Sequence, residues 1–279
     1  MKTKPIAGNL ILSLFLLIST TMFSQNQNFH IYLCFGQSNM EGSAAIEEQD
    51  RVVDPRFKMM ASMDCPNLER GKGKWYTANP PLSQCYSGLS PADYFGRTMV
   101  EELPQDISIG IINVAIGGCD IRLFDKDLYQ NYTRTYPEDW FIDKVNGYEG
   151  NPYQCLISLA KKAQKDGVIK GIILHQGETN TGDEQWPNYV KTIYENILSD
   201  LSLNAKEVPL LAGEVVHEEQ GGICASMNPI INQLPDLIPT AHVISSRGCL
   251  VREDSVHFNS EGVRELGKRY AQEMLSLVK

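Results

Sequence analysis

The stretch Phe29-His30-Ile31-Tyr32-Leu33-Cys34-Phe35-Gly36-Gln37-Ser38-Asn39-Met40-Glu41-Gly42 runs through seven almost unbroken apolar and aromatic residues and changes at Gly36 to small and polar ones. A run of that length, bounded by glycine, predicts a strand buried on both faces, as in a parallel sheet. Residues 107–116, 168–175, 208–215 and 241–246 have the same character. Between these runs, residues 91–102, 152–166, 184–201 and 229–237 predict helices. A last helix is predicted over 260–278, where Val263, Leu266, Tyr270, Met274 and Leu277 recur at helical spacing behind Asn259 or Ser260 as a cap. Strands alternating with helices imply an α/β fold, a three-layer α/β/α sandwich of about five parallel strands with right-handed crossovers.

At the start of the chain, Lys2 and Lys4 precede an apolar run at 10–18 and a small polar stretch, Ser19-Thr20-Thr21. This reads as a signal peptide over residues 1–24, since the run is about half of the roughly 20 residues that span a bilayer. Residues 25–279 are then expected as a single exported domain, periplasmic or secreted, with no membrane attachment after cleavage. The 279 residues hold 25 Lys+Arg against 34 Asp+Glu, a net charge of −9; without Lys2 and Lys4 the balance is 23 against 34, or −11. Such a balance argues against nucleic acid as a partner. It is mildly unfavourable for an anionic polymer and compatible with a neutral one.

Seven cysteines leave at least one thiol unpaired in an exported chain. Cys34 and Cys155 lie in apolar segments and are expected as core thiols, while Cys65 with Cys85 and Cys224 with Cys249 are the expected bridges. There is no CxxC and no His/Cys cluster at zinc spacing, so neither a metal nor a cofactor is expected. Oligomeric state is not legible. Residues 47–90 and 120–150 break the strand–helix rhythm, and long irregular connections are often functional. Their Lys72, Lys74, Trp75, Tyr76, Tyr129, Tyr132, Tyr136 and Trp140 either form an aromatic rim facing sugar or pack the loops onto the body.

A lone serine after a strand, as in Gly36-Gln37-Ser38-Asn39-Met40-Glu41-Gly42, ordinarily caps a helix. Three other segments alter that reading. Asn113-Val114-Ala115-Ile116-Gly117-Gly118 follows the second strand, His175-Gln176-Gly177-Glu178-Thr179-Asn180 the third, and Asp254-Ser255-Val256-His257 lies beyond the fifth. In an open α/β sheet all of them converge on the carboxyl edge. Together they supply a hydroxyl nucleophile, an imidazole, carboxylates and oxyanion donors, which are the requirements of acyl transfer. The turn lacks the GxSxG pattern, which argues against a standard α/β-hydrolase. His30, His217 and His242 read as structural, His175 as support for the site, and Cys119 is not the expected nucleophile.

The blocks GQSNMEG, NVAIGG, HQGETN and DSVHFNSEG resemble those of the SGNH hydrolase superfamily, in the branch of sialate O-acetylesterase-like proteins and acetylxylan esterases of carbohydrate esterase family six. The resemblance spans the chain from about Phe29 onward. It implies a flavodoxin-like sandwich and a metal-free serine esterase acting on acetylated carbohydrate. By position it makes Ser38 the nucleophile, His257 the general base, and the Ser38 N–H, the Gly118 N–H and the Gln176 side chain the oxyanion donors. Gln176 stands where the superfamily usually has asparagine. Asp254 is favoured as the partner of His257, with Glu178 as the other candidate. Gln37, Asn39, Trp75 and Arg122 are expected to contact substrate. Acetylated xylan or a related plant polysaccharide is favoured. An O-acetylated sialic acid, whose carboxylate Arg122 or Arg134 would clamp, is the rival substrate, and a non-catalytic carbohydrate-binding module is the rival of another class.

Overall fold

The computed structural model describes residues 1, 25–136 and 138–278; the expected signal peptide lies, beyond Met1, outside the described residues. In chain order the elements are β1 (Asn26–Gly36), α1 (Ser38–Glu41), β2 (Phe57–Met60), β3 (Trp75–Thr77), α2 (Pro91–Glu102), β4 (Ser108–Ala115), α3 (Tyr129–Thr135), α4 (Asp139–Asn146), α5 (Pro152–Ala163), β5 (Gly167–His175), α6 (Trp186–Leu201), β6 (Leu210–Gly213), α7 (Asn228–Ile231), α8 (Leu234–Leu237), β7 (Ala241–Ile244) and α9 (Ser260–Leu277).

One seven-stranded sheet has the order β3-β2-β4-β1-β5-β6-β7. All pairings are parallel except that of β3 with β2. The five expected strands are β1, β4, β5, β6 and β7. Alternation along β1 assigns its side chains to two cores, because successive Cβ atoms point to opposite faces. Leu33 and Phe35 join Leu156, Leu159, Ile193 and Ile197 of α5 and α6. Tyr32 and Cys34 join Phe95 and Met99 of α2 and Leu266, Tyr270 and Met274 of α9. The sheet is thus buried on both faces, which is why its strands read as continuous apolar runs rather than alternating ones. Asn259 caps α9 through its side chain, which accepts from the Gly262 N–H at 2.9 Å.

The structure corrects the sequence reading at several places. Residues 47–90 are not wholly irregular: β2 adds a parallel strand beside β4, and β3 pairs antiparallel to β2 as the sheet edge. Their four and three residues stand among charged, polar, glycine and proline neighbours, whereas β6, equally short, sits inside the apolar run at 208–215. Residues 120–150 hold α3 and α4. The helix expected over 229–237 is two short ones, because Pro235, lacking an N–H, fits the first turn of α8 and cannot extend α7. Cys65 and Cys85 form a disulfide across 20 residues, as expected. Cys224 and Cys249 do not pair; the Cys224 thiol lies 3.8 Å from the Glu178 carbonyl, while Cys249 is buried in the layer with α9.

The 65–85 bridge closes the loop that carries β3, and a closed loop of 20 residues restricts the unfolded chain by about 3 kcal/mol. Replacing both cysteines with serine is expected to lower the unfolding free energy by about that amount in urea titration. An unchanged denaturation midpoint would show that the loop is ordered without the bridge.

Candidate active site

β1 lies between β4 and β5, so the turns after all three strands open onto one crevice at the carboxyl edge of the sheet. Gly36 has φ +151°, and a Cβ there would fall inside the His175 backbone carbonyl of the neighbouring strand. With no side chain in the way, the Gln37 N–H reaches that carbonyl at 3.0 Å and the chain turns into α1, whose first residue is Ser38. Asn113 of β4 holds this turn from below, its amide donating to the Met40 carbonyl at 2.8 Å.

The Ser38 hydroxyl lies 2.8 Å from His257 Nε2, and His257 Nδ1 lies 3.0 Å from Asp254 Oδ2. Asp254 reaches back across three residues because Ser255 takes a left-handed conformation, φ 59°. The other Asp254 oxygen accepts the Val256 and His257 N–H groups at 3.0 and 2.9 Å. Burial raises the Asp254 pKa, but the His257 N–H, the His257 ring and the Val256 N–H outweigh it and lower it to about 2.

Glu178, the other carboxylate considered for His257, lies elsewhere. It is buried, and its Oε1 accepts from the Asn39 amide at 2.7 Å. Burial raises its pKa. Asn39 also donates to the Val256 carbonyl at 3.2 Å and accepts from the Phe258 N–H at 3.2 Å, so it grips the chain on both sides of His257. Behind Glu178, His175 is fully buried, its Nδ1 3.2 Å from the Tyr270 hydroxyl; burial lowers its pKa to about 3 and keeps the ring neutral. His217 and His242 pair with Glu214 and Glu273 away from Ser38.

Neither the Ser38 N–H nor the Gly118 N–H has an acceptor among the described residues, and Gly118 holds a left-handed φ of +79°. Gln176 departs from its expected place. Its amide nitrogen has three protein acceptors, Asn180 Oδ1 at 2.7 Å, Gln37 Oε1 at 3.1 Å and the Cys119 carbonyl at 3.1 Å, for two protons. Its oxygen accepts from the Trp186 indole, and the residue is fully buried. It braces the edge from behind rather than facing the crevice.

The expected substrate contacts are also redirected. Gln37 is buried, with its oxygen accepting from the Thr179 N–H at 3.2 Å, and Asn39 is fully buried, so both hold protein rather than ligand. Trp75 packs on Phe29 at 4.8 Å and donates to Asp166 at 2.9 Å, near the start of β1 and β5 and so at the opposite end of the sheet from Ser38. Arg122 is near the crevice, but Asp120 holds its guanidinium in two hydrogen bonds of 2.9 and 2.6 Å. Sequence reading missed Lys144 of α4, whose Nζ is 2.9 Å from both oxygens of Glu41. The acid in GQSNMEG signals a needed partner, but a separation of 103 positions hides which one.

A mostly parallel sandwich with a hydroxyl–imidazole–carboxylate line at its carboxyl edge is an arrangement suited to ester hydrolysis. The family model "Carbohydrate esterase, sialic acid-specific acetylesterase" matches residues 28–276, and the chain belongs to that family of carbohydrate acetylesterases. A probable carbohydrate esterase of Arabidopsis thaliana is 21% identical over 265 residues, covering 88% of this chain and 90% of that protein. A solved structure from Arabidopsis thaliana superposes with a TM-score of 0.70 at 18% identity, over 91% of this chain and 100% of that one. NanS gives 0.63 at 16% identity, over 91% and 98%. A carbohydrate acetylesterase from Xanthomonas citri gives 0.62 at 16% identity, over 89% and 56%.

Asn39→Ala removes the grip on both sides of His257 and the side-chain hydrogen bond to the Glu178 carboxylate. It is expected to cost about 1–3 kcal/mol in chemical unfolding, the penalty of an unsatisfied buried acceptor. It should also lower kcat more than it changes KM, because the imidazole loses its seat. Unaltered kcat would show that the His257 loop is held by its own turn.

Proposed function

We propose that this chain is a serine esterase that removes O-acetyl groups from carbohydrate through an acetyl-Ser38 intermediate, with acetylated xylan or a related plant polysaccharide as its substrate. The observation that carries the reading is the unbroken hydrogen-bonded line from Ser38 Oγ through His257 to Asp254. His257 Nε2 takes the hydroxyl proton as Ser38 Oγ attacks the acetyl carbonyl. Asp254, ionised, holds the proton on Nδ1 and stabilises the imidazolium that forms. The oxyanion is received by the Ser38 and Gly118 N–H groups, the donors that lack protein acceptors. The sugar oxygen leaves with the proton from Nε2, and water attacks the acetyl-enzyme by the same path in reverse roles. Glu178 and Gln176 position this line without touching the ester.

Among the described residues no helix is long and apolar enough to cross a membrane. The leader at 1–24 supports export, which gives the enzyme access to polymeric substrate. The acidic net charge of −9 favours a neutral polymer. The second reading, an O-acetylated sialic acid as substrate, is supported by the description of the family.

Ser38→Ala is expected to lower kcat on 4-nitrophenyl acetate by on the order of 10⁶-fold with the fold unchanged by circular dichroism, and wild-type rates in that variant would overturn the mechanism.

The pH profile and one substitution test the role of Asp254. The Asp254 pKa is lowered to about 2, so the carboxylate is ionised from there upward and does not shape the acid limb of activity. Asp254→Asn should reduce kcat by on the order of 10⁴-fold, and a kcat within about tenfold of wild type would remove Asp254 as the carboxylate that orients His257.

A further inference from the structure

We infer that Trp140 and Tyr86, set around the Lys144–Glu41 ion pair, form the sugar platform of this crevice and that it takes an uncharged pyranose ring. The inference rests on the esterase reading above and adds the subsite and the charge of its ligand. Among the described residues Trp140 and Tyr86 are the exposed aromatic side chains, at 47% and 67%. One such residue would need no explanation. Here both rings lie around a single ammonium, Lys144 Nζ being 5.9 Å from one ring centre and 5.8 Å from the other.

That ammonium stands beside the nucleophile. A methyl group added at Gly117 would lie 3.5 Å from Ser38 Cβ, 3.3 Å from Lys144 Nζ and 2.8 Å from Glu41 Oε2. One added at Gly118 would lie 3.1 Å from the Trp140 ring. The platform is therefore built against the same two glycines that offer the oxyanion N–H. It is also braced. Trp140 meets Phe141 edge-on at 5.8 Å, and the Tyr86 hydroxyl donates to Gln84, whose amide holds the Ala115 carbonyl at the end of β4 at 3.2 Å. A fixed aromatic face beside polar groups suits the C–H face of a sugar, whose ring presents apolar hydrogens on one side and hydroxyls around its edge.

The charge around it is cancelled. Lys144 faces both oxygens of a largely buried Glu41, Arg122 is held by Asp120, and Arg252 lies 3.6 Å from Asp254. A substrate carboxylate would have to displace one of these partners and strand it, whereas a neutral ring leaves all three pairs in place.

The test compares purified wild type with Trp140→Ala, Trp140→Phe and Tyr86→Ala on three esters: acetylated xylo-oligosaccharide, an O-acetylated sialic acid and 4-nitrophenyl acetate. The wild type is expected to prefer the neutral oligosaccharide to the sialic acid by at least about tenfold in kcat/KM. In Trp140→Ala the ratio of kcat/KM for oligosaccharide to that for aryl acetate should fall about tenfold, mainly through KM. Tyr86→Ala should lower it in the same direction, and Trp140→Phe should recover part of the loss. A ratio within about twofold of wild type in both alanine variants would overturn the platform, and a wild-type preference for the sialic acid would overturn the neutral ligand. A wild type active on the aryl acetate alone would overturn this inference and leave the serine chemistry standing. Silence on all three esters would overturn the esterase reading and the platform with it.

Discussion

The close approach of β1 to β5 at Gly36 and His175 is the constraint on which the rest of the site depends. No Cβ fits between the Gly36 backbone and the His175 carbonyl, so glycine at 36 lets the central strand end flush against its neighbour and turn at once into α1. Ser38 is thereby delivered to the middle of the sheet edge, between the turn that carries Gly117 and Gly118 and the turn that carries Gln176 and Glu178. A side chain at 36 would push the serine turn away from both. The apolar layers on either face make this edge rigid, because the strands that carry the site are buried along most of their length.

Two carboxylates behind the imidazole live in opposite environments. Asp254 is half-exposed and takes three N–H donors, which hold it ionised; Glu178 is buried, accepts from Asn39, and burial raises its pKa. Geometry assigns the first to His257 Nδ1. The second supports Asn39, which in turn grips the residues flanking His257. Polar groups that look alike in the sequence blocks therefore divide into those that face the crevice, Ser38 and His257, and those that hold them, Gln37, Asn39, Gln176 and Glu178. The holders are almost completely buried, so each needs its partners, and a polar network of this kind is rigid only when it is complete.

Charge around the crevice follows the same logic of internal pairing. Lys144, Arg122 and Arg252 all belong to segments outside the motif blocks, and each is opposed by a carboxylate. The aromatic faces of Trp140 and Tyr86 are left as the accessible apolar surface near Ser38. The net charge of the chain is acidic, but these three cations near Ser38 are each paired, and local pairing rather than the net value sets the field there.

Five strands, β1, β4, β5, β6 and β7, the helices α2, α5, α6 and α9, and the four blocks that meet at the carboxyl edge are legible in the chain as written. Continuous apolar runs and helical spacing are local signals, and burial on both faces makes them strong. The resemblance of the blocks also pointed to Ser38, His257 and Asp254, whose side chains the structure brings into line. Tertiary structure alone decided the rest. The strands β2 and β3 stood among charged and turn-forming neighbours that mask a strand signal, and Pro235 divided what looked like one helix. Cys65 found Cys85 while Cys224 and Cys249 faced different surroundings. Trp75 went to the far end of the sheet and Trp140 to the crevice, although both stood in stretches of the same composition. Which carboxylate meets which imidazole, and which lysine meets Glu41 across 103 residues, is fixed by where the folded layers place them. Spacing along the chain carries no record of those distances.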